Sequence, residues 1–357
     1  MQKDVQQFVV FDASVQDERA QWLALWQTWP QRDVVAHPGY AELFARPGDR
    51  TVCAAQITDN GGILFPFIVR PLRTESWAGD TEACDLVSPY GYGGPFGWGG
   101  HSAEAFWAGF DKWACAVRAV SLFARFSLFK DRLIPFYGDT LVKGPAVVVL
   151  LDRTPEAILA SYDKDARKNV RQAERAGVTI EPDPDCRRLN EFLDIYYETM
   201  DRLEARSMYY FPKEFFESLI ANAQGQVMLF HALHGGRVVS TEMLLVSADY
   251  LYAFLTGTVE EGMQVRANPL LRHAVNVWGQ AHGKRYLVLG GGYESAVDSL
   301  YRYKLRYAPD SQASFSVGTR VLDGPSYQKL IDQRAAWESE QGRDWSPAAG
   351  FFPAYRG

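Results

Sequence analysis

Two glycine-centred turns, each between long apolar runs, constrain this chain most. Thr51 to Thr58 and Ile63 to Leu72 flank Asp59-Asn60-Gly61-Gly62. Val227 to Leu233 and Arg237 to Val246 flank His234-Gly235-Gly236. Such tetrads and triads read as hairpin turns, because Asn and Gly tolerate the positive φ that tight turns demand. Each hairpin is followed by a helical pattern and a further strand. That order predicts two α/β lobes, each sheet built on an antiparallel hairpin. At 357 residues, with 47% hydrophobic and 14% aromatic composition, there is material for two packed interiors.

In the first lobe, Phe8 to Phe11 reads as a strand and Asp17 to Thr28 as a helix. A Gly/Pro/aromatic loop, Ser88 to Gly100, precedes a helix near Ala103 to Val120 and strands near Leu122 to Phe129 and Ala146 to Leu151. In the second, Thr154-Pro155-Glu156 is a helix start, and the helix it opens runs to Ala176 with Gly177 as its stop. A short strand (Val178 to Glu181) and two helices (Asn190 to Arg206, Pro212 to Ala223) lead into the hairpin, and Tyr250 to Gly257 adds a third strand. A helix from Pro269 to His282, capped by Asn268, precedes a strand at Arg285 to Leu289. The remainder predicts a helix from Ser295 to Tyr307, a strand from Ala313 to Leu322 and a helix from Pro325 to Gln341. The expected division is 1–148, 149–335, and a polar tail at 336–357. No repeat at the level of residues links the lobes.

A net charge of -6 disfavours a chain wrapped in nucleic acid, DNA included. The N-terminal residues show no basic stretch followed by an apolar one, and the longest apolar run, Pro145 to Leu151, is too short for a bilayer. Four scattered cysteines, Cys53, Cys84, Cys115 and Cys186, read as reduced, buried thiols, and a cytoplasmic location is expected.

Three features carry chemistry. On a helix through Tyr162 to Arg175, Tyr162, Ala166, Val170 and Ala173 share one side. Lys164, Arg167, Lys168, Arg171 and Arg175 form a basic stripe on the other, which is either a solvated face or a phosphate clamp. Tyr90, Tyr92 and Gly93 lie in Ser88-Pro89-Tyr90-Gly91-Tyr92-Gly93-Gly94-Pro95, where glycines admit a close ligand and the phenols can stack or donate. Beyond Gly290-Gly291-Gly292, Lys304 falls within an apolar stripe of Val297, Leu300 and Tyr301, so it is either paired in the core or aimed at a developing oxyanion or a phosphate. His231 and His234, three apart on a strand, face opposite ways and predict no metal site.

Taken in order, these segments resemble the FemAB-like family of tandem GNAT-type transferases. His37-Pro38-Gly39-Tyr40 and the Ser88 to Pro95 loop are similar to its N-terminal signatures. The run Arg167-Lys168-Asn169-Val170-Arg171 through Gly177-Val178 is similar to its basic helix, and Leu289 to Gly292 followed by Tyr303-Lys304 to its closing segment. The likeness spans about residues 35 to 330. It implies attack by an amine on an activated carbonyl, in a cleft between two GNAT-like lobes, with no tightly bound cofactor. The donor would be an aminoacyl-tRNA or an acyl-CoA, and the acceptor a small-molecule or nucleotide-linked amine, such as a peptidoglycan precursor. Arg167 and Arg171 would hold acceptor phosphate, Lys304 would stand at the reacting carbonyl or donor phosphate, and Tyr90 and Tyr92 would line the cleft. Glu242, Asp298 or the substrate's own phosphate would take the amine proton. Two departures bear on the donor. The chain lacks the long charged heptad hairpin that some tRNA-using relatives insert. The loop Thr258 to Asn268 has a single glycine, Gly262, in place of a pyrophosphate cradle, although the helix N-terminus after it remains a potential anion site.

Overall fold

The computed structural model describes residues 7–293 and 296–357. In chain order the first elements are β1 (Gln7–Asp12), α1 (Gln16–Thr28), α2 (Pro38–Ala41), β2 (Arg50–Thr58), β3 (Gly61–Pro71), β4 (Cys84–Val87), β5 (Phe96–Trp98), α3 (Ala103–Ala116), β6 (Ala119–Arg125) and β7 (Asp139–Leu150). There follow α4 (Pro155–Ser161), α5 (Lys164–Arg175), β8 (Thr179–Asp183), α6 (Leu189–Arg202), α7 (Lys213–Asn222), β9 (Val227–His234), β10 (Arg237–Val246) and β11 (Tyr250–Thr258). The last are α8 (Glu260–Gln264), α9 (Ala267–Ala281), β12 (Tyr286–Gly290), α10 (Ser299–Leu305), β13 (Gln312–Val321) and α11 (Gly324–Glu340). The expected helix start at Ser295 lies outside the described residues.

The chain forms two compact units. Unit 1 holds the described residues up to Pro30, then 35–143 and 315–357; unit 2 holds 31–34 and 144–314. This division departs from the expected one at the C-terminus. Residues 315–321 of β13 pair antiparallel with β6 from Val317↔Arg125 to Val321↔Ser121, which ties them to unit 1. The expected polar tail is also stitched into unit 1. Tyr355 is fully buried with Leu72, Trp77, Val120 and Leu330, and Arg356 pairs with the buried Asp85.

In unit 1 the strand order is β1-β2-β3-β4-β6-β13, with β5 added to β3. All neighbours are antiparallel except β4 and β6, which run parallel and are connected through α3. Phe65, Phe67, Phe106, Trp107 and Phe110 fill the core beneath α3. The β2–β3 hairpin forms as expected, for a different reason. Asn60 and Gly61 do not adopt positive φ; instead a Cβ on Gly61 would lie 2.2 Å from the Trp98 carbonyl, so glycine is needed for close approach. Helix α3 stops short of the expected Val120 because Arg118 turns to φ 55, which frees Ala119 onward for β6. Cys115 lies outside the buried face of α3 and is exposed, unlike the other three cysteines.

In unit 2 the order is β7-β12-β11-β10-β9-β8, antiparallel throughout except for β11 and β12. Here the glycine turn follows the sequence reading, with Gly235 and Gly236 at φ 56 and 79. The parallel pair is joined only from Tyr250↔Tyr286 to Tyr252↔Val288, so β11 runs on to Thr258 without β12 beside it. The helix expected from Thr154 to Ala176 is two helices. Tyr162 is extended at ψ 158, and Asp163 then caps a new helix by accepting the Ala166 N–H at 2.7 Å. Ala166, Val170 and Ala173 of α5 pack with Leu271 and Val275 of α9 over alternate residues of β9, among them Met228 and Phe230. Each fully buried Val or Leu there contributes about 1.5–3 kcal/mol relative to exposure.

Candidate functional site

A group of buried and half-buried charged side chains in unit 2 forms where β10, α9 and α10 approach. Glu242 on β10 is fully buried and pairs with Arg272 on α9, itself 6% exposed. The second carboxylate oxygen, Oε2, has no hydrogen-bond partner. Burial raises the Glu242 pKa, while Arg272 and the charge of Lys304 pull it back. A buried pair of this kind costs desolvation and holds only while both partners remain.

Lys304 stands beside this pair, half-buried on α10, and its Nζ donates to the Gly291 carbonyl at 2.7 Å. Burial first, and the Arg272 cation second, lower its pKa to about 8, against the pull of Asp298 and Glu242. The expected apolar stripe is not the reason for its position. Val297 and Leu300 are 56% and 46% exposed, and of those three only Tyr301 is buried. The helix is short and begins at Ser299, which turns the stripe away from the core. What shelters Lys304 is the glycine carbonyl and the charged cluster.

A chain of hydroxyls and amides flanks the lysine. The Tyr303 hydroxyl donates to Asn268 Oδ1 and lies 3.0 Å from the Tyr307 hydroxyl. Asn268 Nδ2 reaches Thr256 Oγ1 at 3.4 Å. Asn276 Nδ2 donates to the Tyr162 hydroxyl at 2.5 Å, and that oxygen is 3.2 Å from His273 Nδ1. Burial raises the pKa of Tyr162, Tyr303 and Tyr307, so these phenols stay protonated near neutrality. Asn268 is therefore not the helix cap expected from sequence. Arg266, at φ 60, takes the N-cap position of α9, and Asn268 sits within the first turn with its side chain turned to Tyr303.

Arg167 and Arg171 come together, as the spacing predicts. With Glu156, Leu159 and Ala160 of α4 they line an open groove of about 500 Å³. Arg171 is exposed, but the Arg167 guanidinium is engaged, donating to the Ala160 carbonyl at 3.0 Å and to that of Tyr162. It thereby satisfies the last carbonyls of α4, a capping role that the break between the two helices creates. Glu156 brings a carboxylate to the same groove.

The remaining expected residues belong to unit 1. Tyr90 is 49% exposed, and its carbonyl accepts from the Tyr40 hydroxyl at 2.9 Å. Tyr92 meets Phe315 edge-on at 5.3 Å, and the Gly93 carbonyl accepts from the Ser127 N–H at 2.6 Å. Of the histidines, His231 is fully buried against Thr241 at 3.0 Å, and His234 Nδ1 meets Glu261 at 2.6 Å. Among the described residues no His, Cys, Asp and Glu side chains gather as a metal site. Asp298, one candidate base, accepts the backbone N–H groups of Tyr293 and Tyr301, each at 2.8 Å, and this holds its carboxyl below the usual range. Sequence reasoning missed Arg272, Tyr307, Asn276 and Tyr162 as one network. Arg272 had a signal, a cation between Leu270-Leu271 and Val275 on the apolar side of a helix. The others had none.

Comparison with known proteins agrees with this architecture. Residues 160–305 match the family model described as an acetyltransferase (GNAT) domain. No protein of curated function matches the chain in sequence. The crystal structure of FemX is similar over 87% of this chain and 98% of its own, with a TM-score of 0.66 at 13% identity. The C-terminal domain of an Agrobacterium fabrum protein described as a lysylphosphatidylglycerol synthetase is similar over 90% and 94%, with a TM-score of 0.53 at 12% identity. A conserved protein of unknown function from Bacteroides thetaiotaomicron VPI-5482 gives 0.55 at 10% identity, over 87% of this chain and all of its own. No helix among the described residues is long and apolar enough to cross a membrane. Residues 160–305 are a GNAT acyltransferase domain, and the whole chain is FemAB-like in fold, two GNAT-type units in tandem.

Proposed function

We propose that this protein is a cytoplasmic N-acyltransferase that joins an acyl or aminoacyl group to an amine of a cell-envelope precursor, with Lys304 of unit 2 as its catalytic cation. The observation that carries this reading is the placement of Lys304. It is half-buried beside Glu242 and Arg272, one N–H spent on Gly291 and its pKa lowered to about 8. Attack by an amine on the donor's ester or thioester carbonyl puts negative charge on oxygen, which a preorganised, partly desolvated cation stabilises better than water does. The amide forms as the C–O or C–S bond breaks and the tRNA hydroxyl or CoA thiol leaves. The amine must also lose a proton. Asp298 is a weak acceptor because its carboxylate is held by two backbone donors. Glu242, raised by burial, and the acceptor's own phosphate fit the task better. In the same reading Arg171, with the free side of Arg167, holds acceptor phosphate.

The surroundings of Asn268 favour an aminoacyl donor over acyl-CoA. Tyr303 takes up the Asn268 side chain, Pro269 removes an N–H from the first turn of α9, and the main chain of Ile195 lies 2.8 Å from where a Gly257 Cβ would stand. A pyrophosphate needs free backbone donors at such a helix start. The alternative, an acyl-CoA-dependent transferase acting on a small molecule, draws on the GNAT domain match alone. A thermal-shift screen separates them. Aminoacyl-tRNA and a UDP-linked muropeptide should each raise the melting temperature, and acyl-CoA should not. A shift with acyl-CoA alone selects the alternative. No shift with any of the three removes both and leaves a non-catalytic binding protein.

A further inference from the structure

Arg125 closes β6 in unit 1, half-buried and without a counter-charge among the described residues. Arg70 and Arg356 share Asp85, and Arg320 meets Asp111 at 2.8 Å. Arg125 forms no ion pair among the described residues. Burial lowers its pKa, the nearby Arg70 cation adds to that, and only the Tyr90 and Tyr40 phenols oppose it. Its Nη1 donates to the Ser88 carbonyl at 3.0 Å, its backbone N–H to Ser88 Oγ at 2.8 Å, and its guanidinium lies 5.1 Å over the Phe123 ring. The Nε–Nη2 edge donates to no described residue. We propose that this edge is an oxyanion-binding site, framed by the 88–94 loop, which takes a carboxylate or phosphate group of a substrate in bidentate fashion.

Physical cost favours the assignment. A half-buried guanidinium loses hydration and needs a charged acceptor in return. The parallel N–H groups of the Nε–Nη2 edge match two oxygens of a carboxylate or phosphate. With Nη1 held by Ser88 and the guanidinium carbon 5.1 Å from the Phe123 ring centroid, the fork is held before any ligand arrives. The loop is built to stay close. Gly91 and Gly94 adopt φ 101 and 120, and a Cβ on Gly94 would stand 2.9 Å from Leu133. Gly93 is anchored to Ser127 at 2.6 Å. The glycines of the tyrosine loop thus bring its backbone against the end of β6, where a Cβ on Gly93 or Gly94 would stand 3.6 or 3.7 Å from the Arg125 carbonyl oxygen. The site stands on the geometry of unit 1. Its assignment to a substrate rests on the transferase reading, and the test below uses neither donor nor turnover, so the two fail separately.

Calorimetric titration of the full chain at low salt with inorganic phosphate, and separately with N-acetylalanine as a carboxylate, tests the site. At least one should bind saturably. That binding should weaken at least tenfold in Arg125→Gln and persist in the Arg167→Ala/Arg171→Ala double variant. Phosphate alone identifies a phosphate-bearing ligand group, and N-acetylalanine alone a carboxylate. If Arg125→Gln does not fold, the Arg125 Nε–H resonance of the native chain, assigned through Arg125→Lys, must move during the titration. Neither anion binding, binding that Arg125→Gln leaves unchanged, or a resonance that stays fixed would overturn the proposal.

Discussion

Arg272 is a cation on the apolar side of its helix, explained by the buried Glu242 it pairs with, and Lys304 is explained by the Gly291 carbonyl it donates to and by the charges of Asp298 and Glu242. The lowered Lys304 pKa gives a signed pH dependence. Below about 8 the folded lysine is charged, and above it the cation is lost. If that cation stabilises the oxyanion, kcat falls as pH rises through about 8. In Lys304→Arg that falling limb disappears, whatever rate is left, because arginine stays protonated. Lys304→Ala should slow turnover more than tenfold with an unchanged circular-dichroism spectrum. For stability the sign is opposite. The unfolded lysine, near 10.4, binds more protons than the folded one, so this group makes the fold more stable as pH rises from about 8 towards that value. Glu242→Ala leaves Arg272 buried and unpaired and should cost about 3–5 kcal/mol in urea unfolding. A loss below about 1 kcal/mol would mean that water reaches the pair. That Lys304 is sheltered from solvent was legible in the sequence. The stripe offered as the reason was not real, because helix periodicity gives no warning that α10 starts only at Ser299.

At the scale of elements, the break between α4 and α5 matters most, because it turns Arg167 back onto α4 and opens the groove beside Arg171. Tyr162-Asp163 carries the break. Asp163→Ala removes the side chain that accepts the Ala166 N–H and should cost about 1 kcal/mol, read as a lower urea midpoint. Unchanged stability would show that the main chain alone sets the break. An Asp inside a helical run is a cap signal, but a continuous pattern of Tyr162, Ala166, Val170 and Ala173 masks it. The hairpins were legible, although for the β2–β3 turn the cause was contact with Trp98 rather than positive φ. Asn268 shows the converse limit. Its type suits a cap, and only the partner, Tyr303, thirty-five positions on, decides otherwise.

At the scale of the whole molecule, alternating hairpin, helix and strand patterns were enough to read two α/β units. The pairing of β13 with β6 was not readable, since a strand's partner depends on contacts nearly two hundred residues away. Nor was the burial of the C-terminal residues in unit 1, which local polarity conceals. Deleting residues 355–357 should open the Leu72–Trp77–Leu330 cluster, cost about 3–5 kcal/mol as for other buried aromatics, and lower one transition of a two-step melt. A melt left unchanged would show that the cluster closes without Tyr355. The claim on which the rest depends is amide formation centred on Lys304. Labelled aminoacyl-tRNA and a UDP-linked muropeptide, incubated with the native chain and with Lys304→Ala, measure it directly by mass spectrometry of the acceptor. The predicted result is an acceptor heavier by one aminoacyl residue, formed more than tenfold faster by the native chain. An equal rate in the folded variant, or no amide product from this donor or from acyl-CoA, would contradict it.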